Sequence, residues 1–274
     1  RGYIYKMNVD SIPIDTMRFF IRQDSSRVNF RLLVQNNKRN PQLVFKSIVN
    51  GYLDGNRIGA DAQFFDKHNV KGLDMGVMAE MLDSGINVHL APYEPLIGYK
   101  TFRLNTDNYL FLGRDNRLSA KVDVIADDGT GVKVYSDDTD PTMLQDLTVS
   151  VNRLNLEQVT SVFPFMPLIS GMMNGDFHLM QDADKQISVV SDMQVGNMAY
   201  ERMPMGNLGS EFVYLQDGED RHRVEARISR NDDEIGVLSG VYDNSGDGYL
   251  DATLDLMRTP LSMVNGFIPD QLLG

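Results

Sequence analysis

Apolar residues recur at every second position along much of this 274-residue chain. Successive side chains of a strand point to opposite faces, so period two marks a strand with one buried face. Val28, Phe30, Leu32 and Val34 share one parity, with Asn29, Arg31 and Gln35 on the other. The same alternation runs through Leu118, Ala120, Val122, Val124 and Ala126, through Val224, Ala226 and Ile228, and through Leu250, Ala252, Leu254 and Leu256. It is shorter at Ile86, Val88 and Leu90, and at Val149 and Val151. Clean alternation belongs to antiparallel strands with one solvated face; strands of a doubly wound parallel sheet read as continuous apolar runs.

Turn chemistry separates the runs. Asp127-Asp128-Gly129-Thr130-Gly131, Asp182-Ala183-Asp184-Lys185, residues 216–220 and residues 243–248 each stand between two alternating stretches. Gly supplies positive φ at low cost and Asp or Asn bonds its own backbone, so each is a hairpin loop. The expected class is therefore all-β with minor helix, an antiparallel meander. A β-sandwich or β-helix is the alternative. Two modules are expected, 1–140 and 141–274, forming one continuous sheet. Helical spacing predicts short helices over 154–163 and 261–268, ended by Pro164 and Pro269. Residues 14–21 read as two helical turns, and 73–82 is ambiguous because Gly72 and Gly76 weaken a helix. The run 159–176 is too interrupted by Pro and Gly to span a membrane and reads as a buried, turn-rich connection.

The two helical stretches belong to a weak repeat with an offset of 105 residues. Leu156 matches Leu261, Val159 matches Val264, Val162 matches Phe267 and Phe163 matches Ile268. Each copy is a strand, a short amphipathic stretch, a Pro and an apolar turn ending in Gly. Repeats of this kind build architectures that grow by adding units. The N-terminus lacks an initiator Met and a signal-peptide core, and the chain stops just after an apolar segment. Both ends read as cut, which predicts a segment of a longer protein.

Composition excludes more than it names. With no cysteine there is no disulfide framework, thiolate metal site or cysteine nucleophile. A net charge of −12 argues against a nucleic-acid partner, whose affinity comes from Lys and Arg on phosphates. His68, His89, His178 and His222 lie far apart without metal-ligand spacing, and read as ordinary surface residues. Asp243, Ser245 and Asp247 fall at positions 1, 3 and 5 of a calcium-loop pattern, a weak candidate. Position 12, where the bidentate Glu belongs, is Leu254, so a hairpin loop is the expected reading. The acidic clusters at 127–128, 137–140 and 232–234 sit in turns, where Asp is favoured for backbone reasons. No phosphate-binding loop, nucleophile elbow or zinc-protease helix is present, so neither a catalytic residue nor a cofactor is expected. Sixteen Met, eight of them within 166–205, fit core filling or an adaptable apolar surface.

Several stretches carry a resemblance. Leu154-Asn155-Leu156-Glu157-Gln158-Val159, then Phe163-Pro164-Phe165-Met166-Pro167-Leu168-Ile169-Ser170-Gly171, then Asn174-Gly175-Asp176-Phe177, resembles a segment of the TamB-like family. So do Pro95-Leu96-Ile97-Gly98-Tyr99, Asn105-Thr106-Asp107-Asn108-Tyr109, the strand 116–126, and 255–274 as the next copy. The resemblance implies an AsmA-like, bridge-type protein of Gram-negative bacteria, anchored in the inner membrane outside this segment and extended through the periplasm. It implies an elongated curled antiparallel sheet, a β-taco-like trough with an apolar inner face, and an outer-membrane barrel partner. It further implies roles in barrel-protein assembly and in phospholipid movement between the membranes, and no catalytic motif.

A sheet with one apolar face must cover it with another layer or curl around it. The helical segments are too few to cover a long sheet, so the inward parity would line a trough that shields acyl chains. The expected lining residues are Leu118, Val122, Val124, Val149, Val151, Val224, Ile228, Leu250, Leu254 and Leu256. The competing expectations are a closed-core adhesion module binding a protein or glycan through its loops, and a polysaccharide enzyme with acidic side chains converging in a cleft.

Overall fold

The structure, a computed structural model, describes residues 1–9, 12–37, 43–137, 139–140, 142–218, 220–246 and 248–257. The expected helix at 261–268 lies outside the described residues. The fold is all-β and open. Every strand pairing among the described residues is antiparallel and joins neighbouring edges, which removes the β-helix alternative. Two compact units divide the chain: Arg1–Gly131 with Gln158–Pro167, and Val132–Glu157 with Leu168–Gly274.

In the first unit the strands β1 (Gly2–Val9), β2 (Ile12–Asp24), β3 (Arg27–Asn36), β4 (Phe45–Asp54), β5 (Arg57–Phe65), β6 (Lys71–Leu82) and β7 (Gly85–Ile97) form a meander, each pairing with the next. The short β8 (Lys100–Thr101), β9 (Arg103–Leu104) and β10 (Tyr109–Gly113) together fill one place between β7 and β11 (Leu118–Ile125). The second unit takes in β12 (Gly131–Ser136), β13 (Met143–Asn155), β14 (Ile169–Asp182), β15 (Ile187–Tyr200), β16 (Met203–Asp217), β17 (Arg221–Arg230), β18 (Asp233–Asp243) and β19 (Tyr249–Leu256). From β13 onward this is again a meander. Its strands contact their ladder neighbours, and among the described residues no second sheet of the unit stacks on the first, as a sandwich requires.

Three sequence expectations change. Residues 14–21 and 73–82 are strands, within β2 and β6. Met17 and Ile21, like Leu73, Val77 and Met81, stand four apart, and a spacing of four satisfies both a helical face and strand parity. The ladder decides the case: Met17 pairs with Val34 and Val77 with Ala60. The helix expected at 154–163 is only α1 (Leu156–Thr160). A Phe163 N–H to Thr160 carbonyl bond then closes a tighter turn. The run 159–176 is turn-rich only as far as Leu168, because β14 begins at Ile169.

Backbone groups inside a sheet must be paired, and the breaks in this one are filled by asparagine side chains. Between β9 and β10 the strand is interrupted at residues 105–108. There the Asn108 amide takes the Leu90 N–H at 2.7 Å and donates to the Leu90 carbonyl. Asn105 does the same on the other side, accepting from Asp123 N–H at 2.8 Å and donating to the Lys121 carbonyl. Each side chain thus stands in for the missing residue of the ladder.

The second unit meets the same problem at its bulges. Register shifts fall after Val151, Ser170, Val195 and Ile228. The N–H groups of Arg153, Asn197 and Asn207 are accepted by Asn174, Asn207 and Asn231 side chains at 2.8–2.9 Å. Bulges bend a strand and increase its local twist, so this end of the unit is where its sheet curls.

Asn108 is 7% exposed, so Asn108→Ala leaves Leu90 with an unpaired N–H and carbonyl. The expected loss is about 1–3 kcal/mol, the usual cost of an orphaned buried group. Urea unfolding checks it, as a lower midpoint at unchanged slope.

Candidate functional site

The ladder registers place side chains on two chemically distinct faces. In the second unit Val149, Phe177, Ser191, Phe212, Ala226, Leu238 and Leu254 lie directly opposite one another from β13 to β19. One step along, Val151 begins a row that passes through Met193 and Ile228 to Leu256. A step the other way, Val224 joins Tyr214 and Ala252, and beyond it Leu250 joins Tyr242 and His222. All seven residues expected in this unit therefore share one face. Asp176, Asp192, Glu211, Arg227 and Asp255 occupy the reverse, together with Val190, Val213 and Leu215.

Among the described residues this apolar face is open at its β19 edge and at Phe177. Leu250, Leu254 and Leu256 are 71%, 55% and 62% exposed, and Phe177 is 38% exposed. Val149, Val151, Val224 and Ile228 are half-buried. Large exposed apolar side chains scattered singly are ordinary, whereas a contiguous face marks an interaction surface.

The first unit has an equivalent face. Val28, Leu53, Ile58, Ala79, Val88, Leu110 and Ala120 form one row from β3 to β11. Leu118, Val122 and Val124 share parity with Ala120 on β11. Leu118 is half-buried, but Val122 and Val124 are closed to solvent, with Leu104, Ala120 and Ala126. These two are core residues rather than open lining. Sequence reasoning passed over Ile21, Leu53, Ile58 and Met81, which lie exposed on the same face. Their signal was parity in strands diluted by Gly, Ala and polar residues.

Residues 158–167 of the same unit cross one end of this face. Val162, 1% exposed, packs with Phe45, Phe64, Val34 and Leu73. Phe163 meets Phe64 edge-on at 4.9 Å, and Phe165 lies 6.2 Å from both Phe45 and Phe64. Beside this cluster the Tyr99 hydroxyl donates to Asp66 at 3.1 Å. Burial works to raise the Asp66 carboxyl, yet the Val70 and His68 N–H groups and the Tyr99 hydroxyl hold it below its usual range. Burial, and then the Asp66 carboxylate, push the Tyr99 phenol up to about 12.

The remaining candidates have local explanations. Asp243 accepts from the Ser245 N–H and hydroxyl, which hold its carboxyl below the usual range and lock the hairpin turn. Asp247 lies outside the described residues. Among the described residues no group of three or more His, Asp or Glu is placed to hold a metal ion. His222 stacks between Tyr214 and Tyr242 at 5.9 and 5.8 Å, on the apolar face. His89 is half-buried, with its Nδ1 against the Asn108 carbonyl, and His178 pairs with Asp146 at 2.6 Å. Both are more committed than surface histidines. A concavity of about 610 Å³ lies on the polar side of the second unit. Asp192, Glu211, Asp232 and Glu234 line it around Arg227, all of them solvent-exposed.

The raised Tyr99 phenol gives a pH signature. A folded-state value above the unfolded one contributes stability below pH 10 that is lost as pH rises through about 12. Ultraviolet titration of the folded protein should show a late tyrosinate component that Tyr99→Phe removes.

No protein-family model, no curated protein and no solved structure matches the chain.

Proposed function

We propose that this chain is a non-enzymatic scaffold segment of a TamB-like envelope protein, with its open apolar faces shielding phospholipid acyl chains between the inner and outer membranes. One observation carries the reading. Seven positions of one strand parity fall on a single face of the second unit, and no other described element of that unit packs over it. A closed-core adhesion module has no use for such a face. The strand and turn patterns that resemble the TamB-like family support the same assignment. On that assignment the segment lies in the periplasm, with an outer-membrane barrel partner and an inner-membrane anchor elsewhere in the full-length protein.

Physically, a lipid tail laid along the rows gains about 0.8 kcal/mol for each methylene removed from water. The contact is non-directional, so a chain can slide from row to row without breaking hydrogen bonds. The acidic reverse face keeps the segment soluble while its other face is occupied.

Native mass spectrometry of the purified protein should find bound phospholipid. Fluorescent phospholipid should bind, and Ile228→Asp with Leu254→Asp should weaken that binding at least about tenfold, or 1.4 kcal/mol. Circular dichroism should be unchanged, since Leu254 lies on an exposed strand. A folded protein that neither carries nor takes up phospholipid overturns the reading.

A further inference from the structure

We propose that residues 161–167 are a displaceable plug, seated on the end of the first unit's apolar face that an acyl chain would otherwise occupy. The proposal rests on the acyl-chain reading above and adds a regulatory element to it.

Three observations converge. First, the seat is part of the ligand face. Phe45, Phe64, Val34 and Leu73 beneath the plug share parity and register with the open rows of β3 to β6. The seat is apolar, built from Phe45, Phe64, Val34 and Leu73. An acyl chain needs nothing else from a surface, and the face continues from the seat without a break in register.

Second, the seat is shaped for the plug. A Cβ on Gly72 would lie 2.9 Å from both methyl carbons of Val162. One on Gly98, whose φ is +60°, would lie 2.5 Å from the Gln158 carbonyl oxygen. Glycine at these two points lets the segment approach the sheet.

Third, apolar contact alone holds the plug. Its backbone bonds are internal, Phe163 N–H to the Thr160 carbonyl and Met166 N–H to the Phe163 carbonyl. Pro164 and Pro167 lack the N–H that would join a ladder. The segment can therefore leave without orphaning a strand, and another apolar chain can replace it. Leu168, just beyond, exchanges two bonds with Glu201 and fixes the trailing end.

The cysteine-free chain allows a direct test. Cysteines at Gly72→Cys and Val162→Cys sit within bridging range, so oxidation locks the plug and dithiothreitol frees it. The probe is palmitate carrying a fluorophore. The oxidised form should hold fewer palmitates per chain than the reduced form of the same variant, because the seat is lost while the open rows remain. Equal binding in both redox states overturns the plug while leaving the acyl-chain reading intact. No binding in either state, nor by the unmodified chain, overturns both. If the cysteine pair does not fold, Phe163→Ala with Phe165→Ala carries the test. Tighter palmitate binding than wild type supports the plug, and unchanged or weaker binding overturns it.

Discussion

Register is the constraint on which the rest of this structure depends. A strand has a side-chain period of two, so a slip of one residue would carry Leu254 to the charged face and Asp255 to the apolar one. In a globular core such a slip is opposed by packing on several sides. Here the strands of the second unit pack mainly along their own ladders, so hairpin turns and cross-strand pairs must hold each register. Cross-strand matches such as Phe212 with Ala226 and Ala226 with Leu238 pair a large side chain with a small one, fixing alignment locally.

Bending such a sheet conflicts with keeping its backbone paired. A bulge releases an N–H, and an interrupted strand leaves a gap in both neighbouring ladders. Asparagine resolves both cases because its amide presents one acceptor and two donors in nearly the geometry of a peptide group. Asn105 and Asn108 bridge the break beside β10, and Asn36 does similar work at the end of β3, taking the Asp15 N–H and donating to the Pro13 carbonyl. Asn174, Asn207 and Asn231 do it at the bulges. Curvature is thus written in asparagines as much as in glycines, and at these bends the exposed N–H groups of Arg153, Asn197 and Asn207 are paired.

How much of this was legible depended on range. Parity along one strand is a local property, and it placed Val224 with Ile228 and Leu250 with Leu254 on a common face before any pairing was known. Helix and strand are not separable where the spacing fits both periods, which misreads 14–21 and leaves Leu73, Val77 and Met81 ambiguous. Those positions needed their partners, Val34 and Ala60 among them, to settle the matter. The seat of Val162 was beyond reach, because Phe45 and Phe64 lie about a hundred residues earlier in the chain. Gly72 likewise counted only against a helix, and its purpose shows once Val162 is seen above it. Asparagine at a bulge looked like any other turn residue, since its partner stands on another strand.

An open apolar face is a hazard as well as a tool. Exposed rows and an unshielded strand invite association with any unfolded chain. The two units differ in how this surface is held. One lays part of its own chain over the end of the face, while the described residues of the other leave theirs bare. A covering of aromatic side chains is well matched to a lipid tail. Both remove apolar area from water at a similar free energy per unit area, so replacing Phe163 and Phe165 by methylenes is close to a neutral exchange. Pulling either into water is not neutral. On the proposed reading, a face covered in this way would stay closed to water and open to lipid, because only an incoming apolar chain offsets the cost of lifting the plug.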